Sequence, residues 1–272
     1  MRNGRLAELR EADAPPAIVA IYEEIKRATG IPQVNLIFRH LATVPGMLAW
    51  TWERLGPLYV SGQISDCAGQ LTETLPSPKT SGILQELDAD DRTGVSEVLR
   101  FYNHANRHNL VALTTLANLN TNPAPATKFT ASDQPATLDQ PQVPRFDVPN
   151  LPKLDELPVE RRKLVVELAS HHGASEMGAV PSMYLHMAVW PAAIALTHRR
   201  VVGLANSGSL ARDAANVINS ADELAGDLTV RLAAADDLPE TPEQIAALER
   251  IAAFVKNTIP EMVVVGHTLA AD

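Results

Sequence analysis

Eight histidines are the main groups in this 272-residue chain able to exchange a proton near neutrality. Two stand together as His171-His172, in the polar stretch Ser170-His-His-Gly-Ala-Ser-Glu-Met-Gly178. Such a glycine-flanked loop can present an imidazole base to a cleft, with Glu176 as a reserve carboxylate. The alternative is a helix C-terminus, where the helix dipole favours histidine. A second polar cluster, Asn103-His-Ala-Asn106-Arg-His-Asn109, directly precedes the apolar Leu110-Val-Ala-Leu113. Amides at that junction can hold a water or a substrate oxygen, or act as caps and turn formers. His40 and His186 each lie a few residues before a proline, as site residues or as core histidines with satisfied nitrogens. The single Cys67 reads as a small buried side chain and Asp66 as a helix N-cap. No Walker loop, GxGxxG turn, GxSxG elbow, HExxH or CxxC occurs, so no cofactor or metal is expected.

The elements that must position these residues look helical and duplicated. Eight of the twenty prolines fall between Pro123 and Pro158, which predicts an extended linker over 123–157 between a repeat at 1–122 and another at 158–272. Val34 to Pro45 aligns without gaps on Val180 to Pro191, pairing Phe38 with Tyr184, His40 with His186 and Pro45 with Pro191. Phe101 to Leu116 aligns in the same way on Phe254 to Leu269. Matched blocks in one order indicate an internal repeat. The first unit opens with Ile18, Ile21, Tyr22 and Ile25 at helical spacing behind Pro15-Pro16, with a stop at Gly30; the second opens with Leu164, Val165 and Leu168 behind Pro158, with a stop at Gly173. The expected fold is all-α, two homologous helical repeats packed as an intramolecular pseudo-dimer, with a binding cleft between them.

Composition narrows the partners. With 46% hydrophobic residues the chain can build a sizeable core, while a net charge of −9 leaves no basic face for nucleic acid. Gly178 to Thr197 lacks Asp, Glu, Lys and Arg, but Pro181, Ser182, His186 and Pro191 interrupt it, so a buried core helix is expected there and no membrane span. One cysteine and no apolar leader suggest the cytoplasm.

Taken together, the pattern resembles the group I 2-haloacid dehalogenases. The resemblance covers most of the chain and rests on Ile31-Pro-Gln-Val-Asn-Leu-Ile-Phe-Arg39 with Pro45, on Asn103-His-Ala-Asn106 with the apolar helix that follows, and on Ser182 through Ala188 with Trp190-Pro191. It implies an all-α pseudo-dimer in which an Asp after a Ser in the second repeat activates water, placed with help from an Asn in the first repeat. Asn106 matches that Asn and Ser182 that Ser, but the Asp position holds Met183, which cannot accept a proton. Where the family favours aromatic walls, this chain has Gln33, Leu36, Asn109, Ile259 and Met262, implying a larger and more polar substrate.

A branch similar to this, associated with aziridine formation of the azinomycin type in actinomycete antibiotic clusters, has an amine of the substrate attack the neighbouring carbon and expel a sulfate ester. Loss of the water-activating Asp is what an internal nucleophile tolerates. The resemblance thus implies an amino-acid-derived substrate, free or on a carrier protein, prepared by a partner sulfotransferase. His172, with Glu176 in reserve, would take the ammonium proton, and His40, His186 and Arg39 would serve the departing sulfate. Two other readings are a hydrolytic dehalogenase whose base has moved to His172 or Glu176, and a non-catalytic binding or scaffold subunit.

Overall fold

A computed structural model describes residues 6–78, 81–121, 144–172, 180–232 and 241–271, and these are all-α, with no strand among them. Helix α1 (Pro16–Thr29) begins with proline at its first position, where the missing N–H costs nothing, and ends at Gly30 with φ 71°, a left-handed cap that suits glycine. After it come α2 (Leu36–Leu41), α3 (Met47–Val60), α4 (Gln63–Glu73) and the long α5 (Ala89–Thr121). The second half runs α6 (Val159–Ser170), α7 (Ser182–Met187), α8 (Pro191–Asn206), α9 (Ser209–Leu232), α10 (Pro242–Lys256) and α11 (Thr258–Leu269). Short 3₁₀ turns, Glu11–Asp13 and Leu154–Glu156, precede α1 and α6. Among the described residues the order of elements in the second half parallels that of the first, which is consistent with an internal repeat. In the aligned blocks α2 and α7 occupy equivalent positions, end for end.

One difference between the halves shapes the site. The first half carries α5 through as one helix of 33 residues, whereas the second breaks at Asn257, with φ −128° and ψ −78°, into α10 and α11. Pro260 has no N–H to give and its ring would collide with the carbonyl of Lys256, so an unbroken helix cannot pass. Arg107 stands at the matching position in α5 and lets it continue.

Helix α5 is the centre of the molecule, packed against α4, α9, α10 and α11. Its residues from Asn109 to Ala117 are all buried. Contact with α11 is close enough that Gly266 meets Asn103 directly: Asn103 Nδ2 donates to the Gly266 carbonyl at 3.0 Å, and a Cβ on Gly266 would strike Asn103 Oδ1.

Two local expectations need correction. Gly178 to Thr197 is not one buried helix, because Val189-Trp190 turn the chain between α7 and the proline that starts α8. Asp66 is not a cap: it lies inside the first turn of α4, whose N-cap is Gly62 with φ 80°. Cys67 is half-buried, with Sγ 3.7 Å from the Leu224 carbonyl. The connector is not free chain throughout: among its described residues, Phe146 packs on Phe101 and His104 and lies under the Arg100 guanidinium. No described helix is long and apolar enough to cross a membrane.

Candidate active site

A cavity of about 590 Å³, its open mouth included, lies where the two halves meet. The first turns of α2 and α7, with the residues that lead into them, line it through Gln33 to Ile37 and Pro181 to Met183. Helix α5 adds Tyr102, Asn106 and Asn109, spaced by four and three residues and so on one face. The α10/α11 break turns Phe254, Thr258, Ile259 and Met262 to the remaining wall.

Of the residues singled out in the sequence, Gln33, Leu36, Arg39, Asn106, Asn109, Ser182, Met183, Ile259 and Met262 share this cavity. His40, His172 and His186 are not among its lining residues, and Glu176 lies outside the described residues. The described lining holds no carboxylate, imidazole or ammonium group.

Arg39 supplies the positive charge and is 8% exposed. Its Nε donates to Glu8 Oε2 at 2.8 Å and Nη1 to the Val34 carbonyl. Glu8 belongs to an N-terminal strap tied down by Leu9 N–H to the Arg39 carbonyl at 2.9 Å and by Tyr22 Oη to the Leu9 carbonyl at 2.8 Å. Asn109 is buried and accepts through Oδ1 from Tyr59 Oη at 3.4 Å.

The histidines are occupied elsewhere, which corrects their expected roles. His172 is not in an open loop: it is 2% exposed, with Nδ1 2.9 Å from Glu261 Oε2 and Nε2 2.5 Å from Tyr184 Oη. Both nitrogens are thus engaged away from the cavity. Its neighbour His171 caps the C-terminus of α6, the alternative the sequence left open. His40 donates from Nδ1 to the Ala7 carbonyl at 2.8 Å and accepts from Arg250 Nη1 at Nε2, 3.0 Å away; burial lowers its pKa. His186 is fully buried, with Nε2 2.9 Å from the Pro149 carbonyl and Nδ1 2.7 Å from Tyr102 Oη; burial pushes its pKa down to about 4. Neither histidine can meet a departing anion in the cavity.

Sequence reasoning missed Tyr102. It lines the cavity together with Gln33 and Ser182, and burial raises its phenol well above the ordinary range.

No protein-family model and no curated protein matches the sequence. Solved structures do. A D-2-haloacid dehalogenase mutant in complex with D-2-CPA superposes with a TM-score of 0.72 at 15% identity, covering 97% of this chain and 94% of that one. A D-2-haloacid dehalogenase with L-LA gives 0.70 at 15% identity, over 97% and 95%. The fold is that of the D-2-haloacid dehalogenases. At this identity the likeness extends to the scaffold, and the chemistry has to be argued from the cavity's own side chains.

Proposed function

We propose that this protein is an enzyme that binds a small anionic substrate in the inter-half cavity and promotes in-line displacement of a leaving group from an sp³ carbon. The nucleophile is an amine of the substrate itself. In the most specific form of this reading, the amine nitrogen bonds to the adjacent carbon while that carbon's bond to a sulfate ester oxygen breaks. The aziridinium so formed gives one proton to solvent, leaving an aziridine and free sulfate.

One observation carries the reading. The cavity joins Asn106 and Arg39 of one half to Ser182 and Met183 of the other, yet its described lining offers no group able to turn water into hydroxide. A displacement there is best served by a nucleophile that arrives with the substrate. The dehalogenase scaffold of the solved structures, one associated with displacement of a leaving group, adds support. Arg39 is suited to the substrate's anionic group, and Asn106 and Asn109 to its other polar atoms. Ring closure to three members demands anti alignment of nitrogen and leaving oxygen. Alignment of an internal nucleophile is worth about 7–11 kcal/mol, so positioning alone can supply much of the rate.

Serine O-sulfate tests this directly, because it carries a carboxylate, an amine and a neighbouring sulfate ester. Aziridine-2-carboxylate and inorganic sulfate in equal amounts, followed by NMR and ion chromatography, are the expected products. Chloride release from 2-chloropropionate without cyclisation would replace this reading with hydrolytic dehalogenation. Tight binding of substrate analogues with no turnover of any sulfated amine would mark a binding subunit.

A further inference from the structure

The two equivalent histidines do the same structural job with opposite nitrogens. His40 donates from Nδ1 to the carbonyl of Ala7, in the strap before α1. His186 donates from Nε2 to the carbonyl of Pro149, in the segment before α6. In the first half the spare nitrogen accepts from Arg250. In the second half the spare nitrogen, Nδ1, faces Tyr102 Oη at 2.7 Å.

That choice of nitrogen fixes the direction of a hydrogen bond. A carbonyl can only accept, so His186 carries its proton on Nε2, and burial with a pKa near 4 keeps the ring neutral. Nδ1 is then bare and must accept, and the single phenol proton of Tyr102 points at it. What Tyr102 presents to the cavity beside Ser182 and Gln33 is therefore a hydroxyl oxygen that accepts and cannot donate.

We propose that Tyr102, held as a one-way acceptor by His186, recognises an N–H of a neutral primary amine on the substrate. This rests on the displacement reading above and specifies its substrate as an amine paired with an anionic group. The positive charge of Arg39 opposes an ammonium at this point. Arg39 is the charge that acts on the phenol, and its countercharge, Glu8, lies outside the cavity lining. Beyond burial, the influence on His186 is the Pro149 carbonyl. With the N–H pointing at Tyr102 Oη, the nitrogen lone pair is left for attack, and no protein base is required to generate it.

The test uses binding without chemistry. O-phosphoserine is compared with 3-phosphooxypropionate, its counterpart lacking the amine, by isothermal titration calorimetry at pH 8 in two buffers of different ionisation enthalpy. Per molecule of neutral amine, which is only a few per cent of the ligand at pH 8, the wild type is expected to prefer the amine ligand about tenfold, the value of one good hydrogen bond, and to release a proton on binding it. In Tyr102→Phe the preference should vanish together with the proton release, while a merely structural defect would weaken both ligands alike. Histidine ¹⁵N spectra should show His186 protonated on Nε2 only. The proposal is overturned by no preference in the wild type, including no binding of either ligand, by a preference that survives in Tyr102→Phe, or by a proton on Nδ1. Preference without sulfate release from serine O-sulfate would keep the acceptor and remove the displacement reading; release without preference would do the reverse.

Discussion

Lowering the pH from 7 to 5 should weaken this protein through histidines whose pKa the fold depresses, His108 and His186 among them, and replacing one of them should remove that one's share. Burial, with His104 and Arg107 nearby, pushes His108 down to about 3, and burial pushes His186 down to about 4, both from an ordinary value of 6.5. A folded-state pKa below the unfolded one means that the unfolded chain takes up the proton first. The stabilisation is therefore complete above pH 6.5 and is lost as the pH falls toward the folded values. At pH 5 each histidine has lost about 2 kcal/mol, so the pair accounts for about 4 kcal/mol, a large share of a typical total of about 5–15 kcal/mol. His108 is held by the His104 carbonyl at Nδ1, 2.8 Å, and by Ser65 Oγ at Nε2, 3.2 Å, and is not among the cavity's lining residues. Urea unfolding of the wild type and of His108→Gln, followed by circular dichroism at pH 7, 6 and 5, separates the contributions. Whatever the variant's stability at pH 7, its loss on going to pH 5 should be smaller than the wild type's by about 2 kcal/mol, or about 0.7–1 M in midpoint for an m-value of about 2–3 kcal/mol/M. Parallel losses in the two proteins would refute the argument.

Asn106→Ala should lower kcat/KM for serine O-sulfate about tenfold to a hundredfold while moving Tm by no more than about 4 °C, checked by sulfate release and calorimetry. Met183→Asp puts a carboxylate into the cavity wall, where burial raises its pKa toward that of a useful base; slow chloride release from 2-chloropropionate is the expected gain, and none would argue against a shared scaffold with a changed nucleophile. Gly266→Ala drives a Cβ into Asn103 and should cost about 1–3 kcal/mol, whereas Gly203→Ala, in open space within α8, should stabilise by about 0.5–1 kcal/mol; thermal melts of the two compare them directly.

Local signals proved readable where their cause is local. Pro16 and Gly30 delimit α1 through the missing N–H and the left-handed cap, and the gapless alignment of Val34 to Pro45 on Val180 to Pro191 places α2 and α7 in register. The side chains that gather at the cavity were named from family resemblance rather than from spacing. What stayed hidden depends on partners far away in sequence. Tyr102 stands between Phe101 and the polar run from Asn103 with nothing local to mark it, since the histidine that orients its proton is 84 residues away. His172 reads as a loop base because nothing nearby announces Glu261, 89 residues on, or the Tyr184 hydroxyl that closes its other side. Pro260 did carry a signal for the helix break at Asn257, but the match to the uninterrupted block in α5 masked it.

The stripe of Tyr102, Asn106 and Asn109 on α5 also acts as a ruler. An α-helix rises 1.5 Å per residue and does not stretch, so the backbone positions of these three polar groups are about 6 Å and 10.5 Å apart along one axis. Because α5 is unbroken and buried on several sides, no loop movement can rescale that interval. A ligand anchored at Tyr102 is measured against fixed graduations: a short one reaches the level of Asn106, and only a longer one engages Asn109. If the proposed substrate binds along this stripe, its length is matched to helical geometry, and moving polar side chains to other turns of α5 is the way to change it.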